Sequence, residues 1–99
     1  MIRDVVLGRL AADADPETRA QLDHGLTGIA GLRLPGQRAM HVGYDAGLRP
    51  GGWSFAISDD WNDEAAYRAY DTDPEHLRYR AQVVAACAEL ARVQLVLPD

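Results

Sequence analysis

The chain has no lysine, a single cysteine and no apolar run long enough to cross a bilayer as a helix. Every basic side chain is an arginine, which reads as compositional bias rather than as a binding signature. Cys87 alone excludes an intrachain disulfide, and without a C-x-x-C pair nothing suggests zinc. Acids outnumber bases, for a net charge of −5, so no basic stripe exists to neutralise phosphates and no nucleic-acid partner is expected. The opening Met1-Ile2-Arg3-Asp4 lacks the shape of a signal peptide, so a cytoplasmic protein with no membrane partner is expected. What the sequence does hold is apolar residues, 47% of 99. That is enough for one packed domain over residues 1–99, small enough that a monomer would leave apolar surface uncovered.

Taken in order, Ile2 to Leu10 carries apolar residues on both alternate faces and reads as a strand covered on both sides. Asp4 interrupts one face: it is either hydrated at the open end of the sheet, the preferred reading, or buried with a partner. Asp15-Pro16-Glu17 starts a helix to about Ala30, with Leu22, Leu26 and Ile29 inward, His24 solvated, and Gly25 and Gly28 tolerated as weak points. Leu34-Pro35-Gly36 is a turn. Gln37 to Tyr44 is a second strand, with His41 a structural residue. Asp45 to Gly52 is a loop and candidate pocket rim, and Trp53 to Ser58 a third strand. Asp59-Asp60-Trp61-Asn62-Asp63-Glu64 reads as a helix start and solvated face, since its acids lack calcium-loop spacing. A helix to about Asp71 follows, then one from Asp73-Pro74 to about Leu90, and a last strand from Val93 to Leu97.

Asp73-Pro74-Glu75-His76 is the stretch that points to chemistry. A carboxylate cap followed by proline places His76 in the first helical turn, where the helix dipole disfavours the imidazolium. At helical spacing His76, Val83, Cys87 and Leu90 share one face, so the ring is aimed inward as a neutral general base. Tyr70 lies just upstream and brings a phenol close. The candidate catalytic residues are His76, Tyr70 and Asp4, in a cavity walled by Val6, Leu22, Leu26, Met40, Val42, Phe55, Ile57, Val83 and Leu90. A bland alternative makes Tyr70 and His76 a hydrogen-bonded tie between two helices.

The order β-α-β-β-α-β, with its second helical region broken in two, is the split βαβ pattern. It gives an α+β ferredoxin-like fold with a four-stranded antiparallel sheet and helices on one face. A second copy would cover the other face, giving a homodimer. The chain resembles the stress-responsive A/B barrel (Dabb) family of dimeric α+β barrels. The likeness rests on Met1-Ile2-Arg3-x-Val5-Val6-Leu7, Pro35-Gly36, Val42-Gly43-Tyr44-Asp45, Asp60-Trp61-Asn62-Asp63 and Ala69-Tyr70-x-x-Asp73-Pro74-Glu75-His76. A plant member of that family closes a polyketide by aldol condensation without metal or organic cofactor, using a tyrosine and a histidine that correspond to Tyr70 and His76. It carries a further histidine where this chain has Phe55, and the family often has histidine at the positions of Asp4 and Asp73.

The resemblance therefore implies a cofactor-independent acid/base enzyme, a cyclase, lyase or isomerase acting on a small hydrophobic carbonyl or polyketide-like compound. Two alternatives accompany it. One is a non-catalytic, stress-associated protein holding a small molecule in the same cavity. The other is a cofactor-free monooxygenase using Trp61, Asn62 and His76. Haem binding has only His76 to recommend it.

Overall fold

Three aspartates set where the helices begin. In the computed structural model, which describes every residue from Met1 to Asp99, Asp15, Asp63 and Asp73 each accept a hydrogen bond from a backbone N–H three residues on. Each thereby satisfies a donor that the first helical turn leaves free. The elements run β1 (Ile2–Leu10), α1 (Pro16–Ala30), β2 (Gln37–Tyr44), β3 (Phe55–Trp61), α2 (Glu64–Asp71), α3 (Pro74–Ala86) and β4 (Cys87–Val96). The strands form one antiparallel sheet in the order β2-β3-β1-β4, the ferredoxin-like α+β arrangement expected.

Two boundaries differ from the sequence reading. The third strand begins at Phe55, not Trp53, and continues through Asp59, Asp60 and Trp61, which were expected to open a helix. Pairing decides this: Ile2 faces Trp61, Arg3 faces Asp60 and Asp4 faces Asp59, so the acids are held in the ladder between β1 and β2. Likewise α3 stops at Ala86 rather than near Leu90, and β4 starts at Cys87 rather than Val93. Its partner β1 is long, and β4 pairs with it from Leu10 opposite Cys87 to Ile2 opposite Val96.

The helices cover one face of the sheet. Leu22, Leu26 and Ile29 of α1 pack with Phe55 and Ile57 of β3 and with Val83 and Ala86 of α3 into the main core. Gly8 lies under the Phe55 ring so closely that a Cβ there would sit 2.0 Å from it. The glycines of α1 have a packing role that the sequence reading gave to mere tolerance. Gly25 faces Val83 and the Tyr79 carbonyl, and Gly28 faces the Tyr79 ring, so α1 and α3 approach backbone to side chain. Beside them His24, solvated as expected, hydrogen-bonds Gln82 at 2.7 Å. The opposite sheet face presents Val5, Leu7, Ala56, Val93 and Leu95, the last two 51% and 41% exposed. His41 lies on this face as well, exposed and away from the helices.

Candidate active site

Asp73 is the residue that aims the site. Its carboxylate caps α3 through the His76 backbone N–H at 2.9 Å, and Pro74 fixes the first helical residue. His76 then turns inward and is 5% exposed. α2 ends at Asp71, and the tight link to α3 folds Tyr70, 3% exposed, back over the imidazole. The two rings stack, centroids 3.9 Å apart and planes 28° from parallel. Trp61 stacks against Tyr70 in turn, at 4.6 Å and 27°, so Tyr70 is the middle ring of three. The side chains of Tyr70 and His76 thus meet as a stack of faces.

Burial holds the His76 imidazole below its ordinary pKa, and the nearby Tyr70 backbone carbonyl offsets this only in part. The ring is neutral at pH 7, and its Nδ1 is buried without a hydrogen-bond partner. Tyr70 is pushed far up, first by burial and then by the charges of Asp59 and Asp4, so its phenol stays protonated. Tyr67, half-buried beside it, is pushed up to about 12 for the same reasons.

These side chains meet around a cavity of about 40 Å³ between the sheet and helices α2 and α3. Asp4, Val6, Ile57, Leu90 and Arg92 line it from the sheet, Tyr67, Tyr70 and Asp71 from α2, and His76, Arg80, Val83 and Val84 from α3. At roughly 10–15 Å³ per water-sized occupant, it holds a molecule of a few heavy atoms. The structure thus brings His76, Tyr70 and Asp4 together, with Val6, Ile57, Val83 and Leu90 as apolar wall. Asp4 was expected to be hydrated at the sheet end; it is 4% exposed, and its Oδ1 accepts a hydrogen bond from Gln94 at 2.8 Å.

Five other wall residues were misplaced. Leu22, Leu26, Met40, Val42 and Phe55 belong to the solid core under α1, where Gly8, Gly25 and Gly28 let side chains close the space a ligand would need. The loop from Asp45 to Gly52 does not line the cavity, nor do Trp61 and Asn62. No three His, Cys, Asp or Glu side chains converge as a metal site would require. The acids of the Asp59–Glu64 run point apart: Asp60 pairs with Arg3, Asp63 caps α2, and Glu64 pairs with Arg68.

Asp59 is the residue the sequence reading missed. It is 0% exposed, stands opposite Asp4 in the β1–β3 ladder, and its Oδ2 accepts the Trp61 indole N–H at 2.6 Å. The usable signal was the unbroken alternation Phe55, Ile57, Asp59, Trp61, which places Asp59 on the inward face.

Fold and cavity together define a ferredoxin-like α+β protein with a mostly apolar pocket between sheet and helices, lined also by Asp4, Tyr70 and His76. Residues 2–96 match the Stress responsive A/B Barrel Domain (Dabb), and the chain belongs to this family. No curated protein sequence matches it significantly. Among solved structures it is similar to a dimeric ferredoxin-like protein of unknown function from Thermobifida fusca, at 29% identity and TM-score 0.82, over 97% of this chain and 90% of that one. A dimeric protein of ferredoxin-like fold from Bacteroides fragilis matches at 21% identity and TM-score 0.82, over 97% and 95%. A hydroxynitrile lyase from Passiflora edulis matches at 16% identity and TM-score 0.76, over 99% and 94%, a likeness of fold.

Proposed function

We propose that this protein is a cofactor-independent acid/base enzyme acting on a small carbonyl compound, of the lyase, isomerase or cyclase type. The observation that carries the proposal is the neutral, buried His76, its Nδ1 without a partner, lining one cavity with Tyr70 and Asp4. A neutral imidazole shielded from water is a competent general base, and a phenol held protonated is a competent hydrogen-bond donor. His76 takes the proton next to the carbonyl, and the Tyr70 hydroxyl donates to the oxygen as negative charge develops there. The size of the cavity favours a substrate of few heavy atoms over an extended polyketide. A lyase among proteins of the same fold is in keeping with this chemistry.

The protein works as a homodimer in this reading, its open apolar sheet face covered by a second copy; similar proteins are described as dimeric.

The test is solvent deuterium exchange into acetone and acetaldehyde, followed by NMR. The wild-type protein is expected to accelerate exchange. His76→Ala is expected to abolish it, a loss of about 10²-fold or more, with the circular dichroism spectrum unchanged. Equal exchange by the variant removes the mechanism. An intact small molecule that co-purifies, with no exchange into either probe, would make the cavity a binding site instead.

A further inference from the structure

The Asp4–Asp59 pair is not explained by the base and the phenol alone. The two carboxyl groups face each other in register on the helix side of the sheet, where opposed side chains approach to about 5 Å, and both are at least nine-tenths buried. Asp59 Oδ1 has no hydrogen-bond partner. Its surroundings offer no neutralising charge. Asp4 faces it from β1 and Met40 from β2, Trp61 flanks it on its own strand, and Tyr67 and Tyr70 lie above on α2. Asp60 is on the opposite face and already paired with Arg3. His76 on α3 is neutral. Asp71, Arg80 and Arg92 line the cavity, yet neither arginine forms an ion pair with Asp4 or Asp59. Two buried carboxylates so placed repel each other, and a proton held between them removes the repulsion while giving Oδ1 its missing partner.

We propose that Asp4 and Asp59 share one proton at neutral pH and that this pair is the acid of the site, facing the base His76 across the cavity. The second, independent sign of a reacting ligand there is His76 itself, a nine-tenths buried ring whose Nδ1 has no partner. Burial and the neighbouring Asp4 push Asp59 up to about 8, the range of a useful general acid. The acid role rests on the reading of His76 as the base.

The step balances. His76 accepts the proton from the carbon beside the carbonyl, and the C–H pair becomes the new C=C bond. The C=O π pair moves onto oxygen, which takes the shared proton through Asp4, the member that lines the cavity. An enol, an imidazolium and a doubly ionised pair result, with total charge unchanged, and the reverse transfers restore the starting state.

Infrared spectroscopy of protein labelled with 13C at the aspartate carboxyls tests the proton, and the exchange assay tests the role. A protonated-carboxyl band at pH 7 that titrates away around pH 8 and is missing from Asp59→Asn supports the pair. So does a basic limb of the exchange profile near that pH that Asp59→Asn abolishes with a rate loss of about 10²-fold. Absence of the band from wild-type protein overturns the shared proton whatever the exchange result. A band present with exchange unchanged in Asp59→Asn overturns the acid role. A band present with no exchange even in wild type overturns the acid role together with the reading of His76. Asn at position 59 keeps an acceptor for Trp61, and Asp4→Asn keeps one for Gln94, so folding of either variant suffices for the comparison.

Discussion

Burial is the main cause that sets the protonation of His76, Tyr70 and Asp59, the side chains on which the proposed chemistry rests. His76 is neutral because it is buried at a helix start; Tyr70 is protonated because it is buried between two rings. In the proposed pair Asp59 holds its proton because burial, and then the facing Asp4 carboxylate, raise its pKa. Turnover should therefore fall as pH drops through the His76 pKa, below the ordinary 6.5. It should fall again as pH rises through about 8, giving a bell-shaped profile of rate against pH for the exchange assay. Asp59 makes the folded protein lose stability as pH rises between its unfolded and folded pKa values, about 3.8 and about 8. Its folded pKa lies above the unfolded value near 3.8, so the folded state binds the extra proton, and its contribution is lost as pH rises toward 8. Asp59→Asn mimics the protonated group and is expected to melt above wild type at pH 8 and converge with it toward pH 4, measured by thermal unfolding across pH. Tyr70→Phe keeps the stack and removes the donor. It is expected to lower the exchange rate by about 10²-fold with no change in melting temperature. Tyr70 and His76 were legible in the sequence because a cap and a proline fix the frame of the helix that bears them. Asp59 was not, since a run of acids before a helix has the same local chemistry whether it lies in a strand or in solvent. Cross-strand pairing, invisible in a single sequence, makes the difference.

At the scale of elements, the helix starts were readable and the ends were not. A cap is a local hydrogen bond between an aspartate and the backbone three residues on, so Asp15 and Asp73 announced α1 and α3. The switch from α3 to β4 at Cys87 is dictated by the length of β1, whose Leu10 pairs with Cys87 from 77 residues away in sequence. The same distance effect hid five core residues among the expected cavity walls. Only the seating of α3 on α1 shows that Leu22 and Leu26 face solid packing. That seating depends on Gly28: Ala there gains helix propensity of about 1 kcal/mol yet drives a methyl to 2.3 Å from the Tyr79 ring. Gly28→Ala is expected to destabilise by about 1–3 kcal/mol in urea unfolding, the reverse of its propensity.

For the whole molecule, the strongest sequence signal was that β1 is apolar on both sides while the chain supplies helices for one. The fold class followed from element order, and the second subunit from the face left over. Val5 and Leu7 of β1 and Val93 and Leu95 of the edge strand β4 form an apolar stretch of that face. Leu7→Asp should shift the proposed dimer to monomer, read by sedimentation equilibrium, while Asp at exposed Leu48 in the distal loop should leave the mass unchanged.

The three-ring stack has an optical consequence. Trp61 is fully enclosed, lies on Tyr70 and donates to Asp59, whereas the other indole, Trp53, sits just before β3 under the Arg9 guanidinium. With Trp53→Phe a single emitter remains, in contact with the acid and one ring from the base. Its fluorescence would then report titration and occupancy of the cavity without any added dye.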